Sequence, residues 1–184
     1  MVVLGSGTSN GGCSILHAAG LGYGASLALD LPVKVRLLDK KPRRELDDPD
    51  GLLEQILVTW KSIELPIPEG DLYWSVTSEI PQRQGLKSSS AISVAAIKAL
   101  CEATETQLEN SQIVDIAANA QLSAGVSITG SFDDSWAALE GGWKLVDINA
   151  EDAKSGLLLE SPGPNSDDWN VVIVCRGERE NRPE

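Results

Sequence analysis

The fold is decided by residues 80–101, IPQRQGLKSSSAISVAAIKALC, where a short polar loop runs into a long apolar segment. From Ala91 onwards the residues are apolar almost all round, which predicts a helix that is buried on most sides. Ser88 stands where a serine oxygen can cap the helix by accepting from free amides. Gly85 allows a close backbone approach, and Lys87 adds a positive charge. Two interpretations stay open: a well-capped core helix, or an anion site at the helix N-terminus.

The composition describes a chain that can bury a core and has an acidic surface. Of its 184 residues 42% are hydrophobic, and the formal net charge is −12. This charge disfavours nucleic acid as a partner, because the surface does not neutralise phosphates in bulk. No apolar run reaches the roughly 18 residues of a membrane span, and the N-terminus lacks the features of a signal peptide. We therefore expect a cytoplasmic protein with no membrane partner.

The cysteines and the single histidine give no sign of a metal site. Cys13, Cys101 and Cys175 are far apart and odd in number, so we expect buried, reduced thiols and no disulfide framework. His17 falls in an apolar segment, where a packed side chain is the expected role and not that of a general base.

The chain before residue 80 is predicted to be mostly strands. We expect a short strand at residues 2–4, a loose turn over the glycine-rich residues 5–12, strands at 13–20, 24–31, 33–38 and 71–79, and an amphipathic helix at 51–62. Gly5-x-Gly7 is a weak dinucleotide fingerprint, because no further glycine opens a helix at the required spacing. Several strands before the first good helix favour an α+β fold over a doubly wound parallel sheet.

After residue 101 the pattern predicts another helix and then strands. Asn110 or Ser111 is expected to cap the helix, whose apolar face includes Ile113 and Ile116. Residues 143–148 and 157–160 are predicted to form a hairpin, residues 161–168 a loop, and Val171 to Cys175 one more strand.

Two adjacent carboxylates stand in the glycine-flanked segment Gly130-Ser131-Phe132-Asp133-Asp134. Neighbouring side chains on an extended chain point to opposite faces. We therefore expect one carboxylate in a cleft and the other at a cap or in solvent. An aspartate pair at a turn and a catalytic carboxylate are both compatible with this segment.

Both segments resemble motifs of one enzyme superfamily. The order Pro81-x-x-x-Gly85-Leu86-x-Ser88-Ser89-Ser90, between a strand and a helix, resembles the phosphate-binding motif of the GHMP kinases. The variant Gly-Leu-Lys-Ser-Ser-Ser-Ala, with lysine where the usual form has glycine, resembles the archaeal-type shikimate kinases. Two further segments resemble the same kinases. One is Thr129-Gly130-Ser131-Phe132-Asp133-Asp134, which is followed by Gly141 and Gly142 at the family's offset. The other is residues 22–30. The resemblance covers most of residues 1–175.

The resemblance implies a fold and a division of the chain. The fold is α+β, a GHMP-kinase N-terminal domain with a mixed sheet packed with helices, and at most the start of a ferredoxin-like C-terminal domain. Residues 1–160 would form the domain that binds ATP and phosphate. Residues 161–184 would be a linker and the first strand of a truncated C-terminal domain.

The resemblance also implies an activity, which is the ATP-dependent phosphorylation of the 3-hydroxyl of shikimate. Asp134 would be the catalytic carboxylate, with Asp133 second, and Lys87 would stabilise charge on the transferring group. ATP and Mg²⁺ would be the cofactors, with Ser89 as a metal ligand. The phosphate-binding residues would be Pro81, Gln82, Arg83, Gln84, Gly85, Leu86, Lys87, Ser88, Ser89, Ser90 and Ala91.

The chain departs from the family in two respects. Related kinases often place a glutamate metal ligand near the end of the helix before the aspartate segment, where this chain has Gln121 and no acid. The chain is also shorter than the family by about a domain. The alternatives are therefore an incomplete nucleotide-binding domain that needs a partner chain, or a kinase for another small alcohol such as homoserine. Apolar surface left exposed would favour a homodimer or a complementing C-terminal polypeptide.

Overall fold

A five-stranded antiparallel sheet with helices packed against it makes up the described chain. The computed structural model describes residues 1–43, 46–81, 84–163 and 169–174. In chain order the elements are β1 (Val3–Leu16), α1 (Ala18–Leu21), β2 (Tyr23–Leu38), α2 (Leu52–Ser62), β3 (Tyr73–Ser78), α3 (Ser88–Thr104), α4 (Asn110–Ser123), α5 (Phe132–Glu140), β4 (Trp143–Asp147), α6 (Ala153–Gly156) and β5 (Leu157–Ser161). The strand order is β1-β2-β4-β5, with β3 also paired to β2. The predicted α+β class is confirmed, whereas the predicted mixed sheet is wrong because all described strand pairs are antiparallel.

The first two strands are longer than the sequence predicted. The glycine-rich residues 5–12 lie within β1, so the loose turn predicted there is wrong. β2 continues through Pro32, which is paired with Asn10 next to a register shift in β1. Proline has no amide hydrogen to donate to a neighbouring strand, so within a sheet it is found at irregularities such as this one. Two separate strands were therefore expected where one bent strand exists.

The glycines of β1 allow α3 to lie directly on the strand. A Cβ atom at Gly7 would overlap the carbonyl oxygen of Ala95, and one at Gly5 would overlap that of Ala99. These glycines therefore serve helix packing and not nucleotide binding. The same contacts hold α3 against β1, and so help to position the loop that leads into the helix.

β1 ends earlier than residue 20, because α1 follows it. His17 is the N-cap of this short helix, and its Nδ1 accepts a hydrogen bond from the Ala19 amide at 3.3 Å. The side chain is exposed. The predicted strand at residues 13–20 is therefore confirmed only for residues 13–16, which lie in β1, and the prediction of a packed histidine is wrong.

The core lies between the sheet and helices α2, α3 and α4. Val33, Val35 and Leu37 of β2 are fully buried, as is almost the whole apolar length of α3. The predicted amphipathic helix is confirmed as α2, where Trp60 is fully buried and its Nε1 donates to the Pro66 carbonyl at 2.7 Å. The predicted buried helix at the centre of the chain is confirmed as α3.

The start of α4 differs from the one predicted. α4 is capped by Glu109, which forms a capping box with Gln112, and not by Asn110 or Ser111.

Cys13 and Cys101 are free thiols and only half-buried, and burial raises the pKa of each. Cys175 lies outside the described residues.

The last described part of the chain carries a hairpin and an exposed apolar segment. β4 and β5 pair antiparallel, which confirms the predicted hairpin. Residues 169–174 contain no strand, and Val172 and Val174 are exposed. The strand predicted from Val171 is therefore not present in the described residues. No helix of the described ranges is both long and apolar enough to cross a membrane.

Candidate active site

The N-terminus of α3 opens on a residue in the left-handed conformation. Lys87 is the N-cap, with φ 64° and ψ 34°, and makes no side-chain capping bond. Ser88 is the first helical residue, so the prediction that it caps the helix is wrong. The first amides of an α-helix have no partner within the helix. An anion can take the place of the missing cap at such an end.

β1 holds the loop that leads into α3. The Gly12 amide donates to the Leu86 carbonyl at 3.1 Å, and the Leu86 side chain is buried. Gly85 is exposed, with φ 74°, a conformation that favours glycine. Pro81 and Gln84 are half-buried. The predicted ligands Gln82 and Arg83 lie outside the described residues.

The three predicted serine hydroxyls differ in their surroundings. Ser90 is buried and donates to Gln121 Oε1 at 2.9 Å. The hydroxyls of Ser88 and Ser89 are half-buried and make no side-chain hydrogen bond within the described part of the chain. The Ala91 carbonyl accepts from Ser9 Oγ at 2.6 Å, which ties the first turn of α3 to β1. Ser88 and Ser89 are thus the hydroxyls that a ligand can reach without displacing a partner.

The two adjacent carboxylates lie in the first turn of α5. Asp133 and Asp134 are both buried, with 4% and 6% of their surface exposed. The expectation that they point to opposite sides is wrong, because the chain here is helical and successive side chains are only about 100° apart. The chain enters the helix through Gly130 and Ser131, both with positive φ. This helix was not predicted from the sequence.

Lys87, Asp134, Asp133 and Ser26 form one contact network. The Nζ of Lys87 lies 2.9 Å from Asp134 Oδ2. Ser26 Oγ makes a short hydrogen bond with the other oxygen of Asp134, and lies 2.7 Å from Asp133 Oδ2. The three predicted catalytic residues are therefore brought together from α3 and α5. Ser26 of β2 was not predicted, although it lies within the quoted residues 22–30, because a lone serine in a strand carries no signal of its own.

The electrostatics of the network are dominated by burial. Burial raises the pKa of Asp133 to about 6, and the neighbouring charge of Asp134 adds to this effect. The Ser26 hydroxyl beside it and the positive charge of Lys87 act in the opposite direction and lower this pKa. The Cys13 thiol of β1 is close enough to feel the charges of both Lys87 and Asp134. The site therefore combines one ion pair with a carboxyl group that binds its proton unusually tightly.

Gln121 links the helices that carry the site residues by hydrogen bonds. It is fully buried, and besides accepting from Ser90 it donates to Ser135 Oγ at 3.1 Å and to the Ala117 carbonyl at 3.2 Å. Its hydrogen bonds join α3, α4 and α5. An amide in this position is neutral, so the metal-binding glutamate that the resemblance implies has no acidic counterpart here.

The protein groups around the loop fit a weakly held metal ion and not a closed metal site. Within the described ranges, no group of three or more His, Cys, Asp and Glu side chains could hold a metal ion. Ser89 offers one neutral oxygen. Magnesium commonly keeps several waters and takes ligands from substrate phosphates. A magnesium ion that enters with a nucleotide is compatible with this donor set.

The chain is similar to known proteins along most of its length. Residues 54–142 match the family model described as GHMP kinases N terminal domain. The chain is 35% identical over 158 residues to a shikimate kinase of Methanocella arvoryzae, covering 84% of this chain and 54% of the relative. It is 31% identical over 147 residues to a shikimate kinase of Methanothrix thermoacetophila, covering 78% of this chain and 50% of that relative. The chain thus spans about half the length of these relatives.

A solved structure shows the same fold. The mevalonate kinase of Methanococcus jannaschii superposes with a TM-score of 0.60 at 17% identity, over 79% of this chain and 53% of that one. At this identity the likeness concerns the fold alone. Taken with the matched family model and the relatives, it leads to one conclusion: this chain contains a GHMP kinase N-terminal domain and has the fold of that domain.

Proposed function

We propose that the protein transfers the γ-phosphoryl group of ATP to the 3-hydroxyl of shikimate. The observation that carries this proposal is the pairing of Lys87 with Asp134 at the uncapped N-terminus of α3. A phosphate-binding helix end beside a cation and a carboxylate supplies the positioning and charge neutralisation that phosphoryl transfer requires.

The choice of shikimate rests on the relatives. The proteins from Methanocella and Methanothrix are both named shikimate kinases, and they match along most of this chain. The segment with Asp133 and Asp134 and the lysine at residue 87 are the features that set the shikimate branch apart in the sequence analysis. We therefore favour shikimate over homoserine as the acceptor.

The nucleotide would bind with its phosphates at the start of α3. The free amides of the first turn and the hydroxyls of Ser88 and Ser89 would contact phosphate oxygens, and Gly85 would allow the loop to approach closely. ATP supplies the phosphoryl group, and Mg²⁺ would enter with it and take Ser89 as a protein ligand. Pro81, Gln82, Arg83, Gln84 and Leu86 would complete the loop, and the backbone of Ala91 the first turn.

The reaction assigns one role to each charged residue. Asp134 would accept a hydrogen bond from the 3-hydroxyl of shikimate and orient its oxygen towards the γ-phosphorus. As the new P–O bond forms, the bond from the γ-phosphorus to the bridging oxygen of ADP breaks. The hydroxyl proton passes to Asp134 and then to solvent. Lys87 would offset the negative charge of the transferring group, and Asp133 would act on Asp134.

The test is an assay of ADP release with shikimate, homoserine and mevalonate as acceptors. We expect turnover with shikimate. Asp134→Asn should lower it by about 10²- to 10⁴-fold, as is usual for removal of a general base, while ATP affinity stays within a few-fold. Asp71→Asn is the matched control, because Asp71 is exposed and takes part in none of the hydrogen bonds or ion pairs of the site. Absence of turnover with all three alcohols would refute the kinase function of this chain.

An incomplete nucleotide-binding domain that works with a complementing polypeptide is the second candidate. The observation that favours it is the share of the relatives that the chain covers, 54% and 50%. On this hypothesis residues 1–160 are the ATP-binding domain, and residues 161–184 are a linker and the first strand of a further domain. Calorimetry should then detect ATP binding without turnover. Turnover should appear when the second half of the Methanocella relative is added. Sedimentation of the chain alone distinguishes the predicted homodimer, which would sediment as a dimer, from a monomer that needs a complementing polypeptide.

A further inference from the structure

The contacts of Ser26 raise a question of proton number. Its hydroxyl oxygen lies within hydrogen-bond distance of carboxylate oxygens from two residues, Asp133 and Asp134. A serine hydroxyl has one hydrogen to donate, and an ionised carboxylate has none. A single hydrogen can serve two acceptors only in a three-centre bond, so two separate hydrogen bonds among these three oxygens require two protons. Ser26 supplies one, so a carboxylic acid must supply the other.

The surroundings decide which carboxyl group carries the second proton. Asp134 faces the ammonium group of Lys87 at 2.9 Å, which favours its ionised form. Asp133 makes no ion pair in the described part of the chain and has only 4% of its surface exposed. A Cβ atom at Gly24 would lie 2.8 Å from the Asp133 carboxyl carbon, so the carboxyl group packs closely against the β2 backbone.

The charged groups that act on Asp133 come from two elements. Asp134 of α5 opposes its ionisation, and Lys87 at the start of α3 favours it. From β2 it faces the Ser26 hydroxyl, and β1 contributes the nearby Cys13 thiol, which feels the charges of Lys87 and Asp134. Burial is the largest effect, and it raises the pKa of Asp133 to about 6.

We propose that Asp133 is a protonated positioning residue: its carboxylic acid donates to Ser26, and Ser26 donates to Asp134. This inference deepens the function proposed above and rests on it for its role in turnover. Asp133 and Ser26 do not touch the reacting atoms. They hold one oxygen of Asp134 while Lys87 holds the other, which fixes the plane of the carboxylate that is to receive the acceptor hydroxyl.

Loss of the proton should break this arrangement. With both aspartates ionised, the three oxygens share a single hydrogen, and two negative charges face each other in a buried place. One carboxylate must then turn away from Ser26. The orientation of Asp134 therefore depends on a proton held by its neighbour.

The experiment is a pH titration of the full chain with ¹³C label in the aspartate carboxyl groups, followed by NMR. No nucleotide or shikimate is present. We expect one carboxyl signal with a midpoint near pH 6, well above the ordinary value of about 3.9 for aspartate. Asp133→Asn should remove this signal and keep the fold, because the amide can donate to Ser26 as the neutral acid does. Asp71→Asn should leave the signal in place.

Two results would overturn the inference. One is a set of aspartate signals that all titrate near the ordinary value. The other is a signal near pH 6 that survives in Asp133→Asn. Where the chain turns over shikimate, Asp133→Asn should retain more activity than Asp133→Leu, which has similar size but no donor. Because the titration needs no turnover, a failed kinase assay leaves the inference intact, and a failed titration removes it even if shikimate is phosphorylated.

Discussion

The conformation of Lys87 gives a prediction that separates backbone strain from charge. Lys87 has φ 64°, in the left-handed region, and its ammonium group lies 2.9 Å from Asp134 Oδ2. Replacing Lys87 by alanine removes the charge and keeps a Cβ atom in the left-handed conformation. Replacing it by glycine removes both the charge and the strain. The difference between the two variants is therefore independent of the charge and depends only on the backbone at residue 87.

The size of this difference follows from two opposing effects. A non-glycine residue in the left-handed region costs about 1–2 kcal/mol. Glycine loses more conformational freedom on folding, at a cost of about 0.5–1 kcal/mol relative to alanine. We therefore expect Lys87→Gly to be more stable than Lys87→Ala by about 1 kcal/mol. For a chain of this length that corresponds to a melting temperature about 2–4 °C higher.

Both variants should be less stable than the wild-type chain at neutral pH. Each leaves the Asp134 carboxylate buried, with 6% of its side chain exposed and no cation beside it. Removing one partner of a buried ion pair costs about 3–5 kcal/mol. Because 19% of the Lys87 side chain is exposed, solvent screens the pair and we expect the lower end, about 3 kcal/mol. Both variants should also lose turnover, since neither offers an ammonium group to the transferring phosphoryl.

Glu105 provides the matched control for the strain. It lies at the other end of α3, is exposed, and has φ 54°. Glu105→Gly should be more stable than Glu105→Ala by a similar amount, without any effect on the ion pair. The measurement is thermal and urea unfolding of all four variants at pH 7.5. If Lys87→Ala proved as stable as Lys87→Gly while the Glu105 pair differed as expected, the left-handed assignment at residue 87 would be refuted.

Two further predictions concern packing and pH. Gly7→Ala should lower the free energy of unfolding by about 1–3 kcal/mol, because the new Cβ atom would overlap Ala95 and α3 would have to move. Gly20 has open space around it, so Gly20→Ala should stabilise the chain slightly. Thermal unfolding measures both effects. Equal melting temperatures for these two variants would contradict the close packing of α3 on β1. Burial raises the pKa of Asp133 from 3.8 to about 6, so the folded state binds this proton more tightly than the unfolded state and the stabilisation is lost as pH rises. Relative to Asp133→Asn, the wild-type chain should lose about 2 kcal/mol between pH 4 and pH 7, measured by urea unfolding, and a constant difference over this range would rule the linkage out.

Much of the fold could be predicted from local pattern, and the exceptions share a cause. Helices α2 and α3 and the β4–β5 hairpin have apolar residues at the period of their own structure, so each is visible within its own segment. The glycines of β1 are different. By local rules, Gly5 and Gly7 predict a turn. They are strand residues because α3, about 90 residues later in the chain, packs directly on them. Helix α5 was missed because it is short and begins among residues with positive φ.

The candidate site shows the same division between local and distant information. Lys87 and Asp134 could be predicted because each belongs to a motif with recognisable order, although nothing local says that they touch. Ser26 could not, since its importance comes from a contact with Asp134 across 108 positions of sequence.

Lys87 joins the two kinds of information. The usual form of the motif that this segment resembles has glycine at this position. The left-handed φ of Lys87 gives a physical reason for that glycine, because this N-cap conformation favours glycine whatever ligand binds. In this conformation the ammonium group of Lys87 contacts the Asp134 carboxylate. The strained backbone and the ion pair are therefore one feature of the site, and a substitution that relieves the strain must also remove the charge.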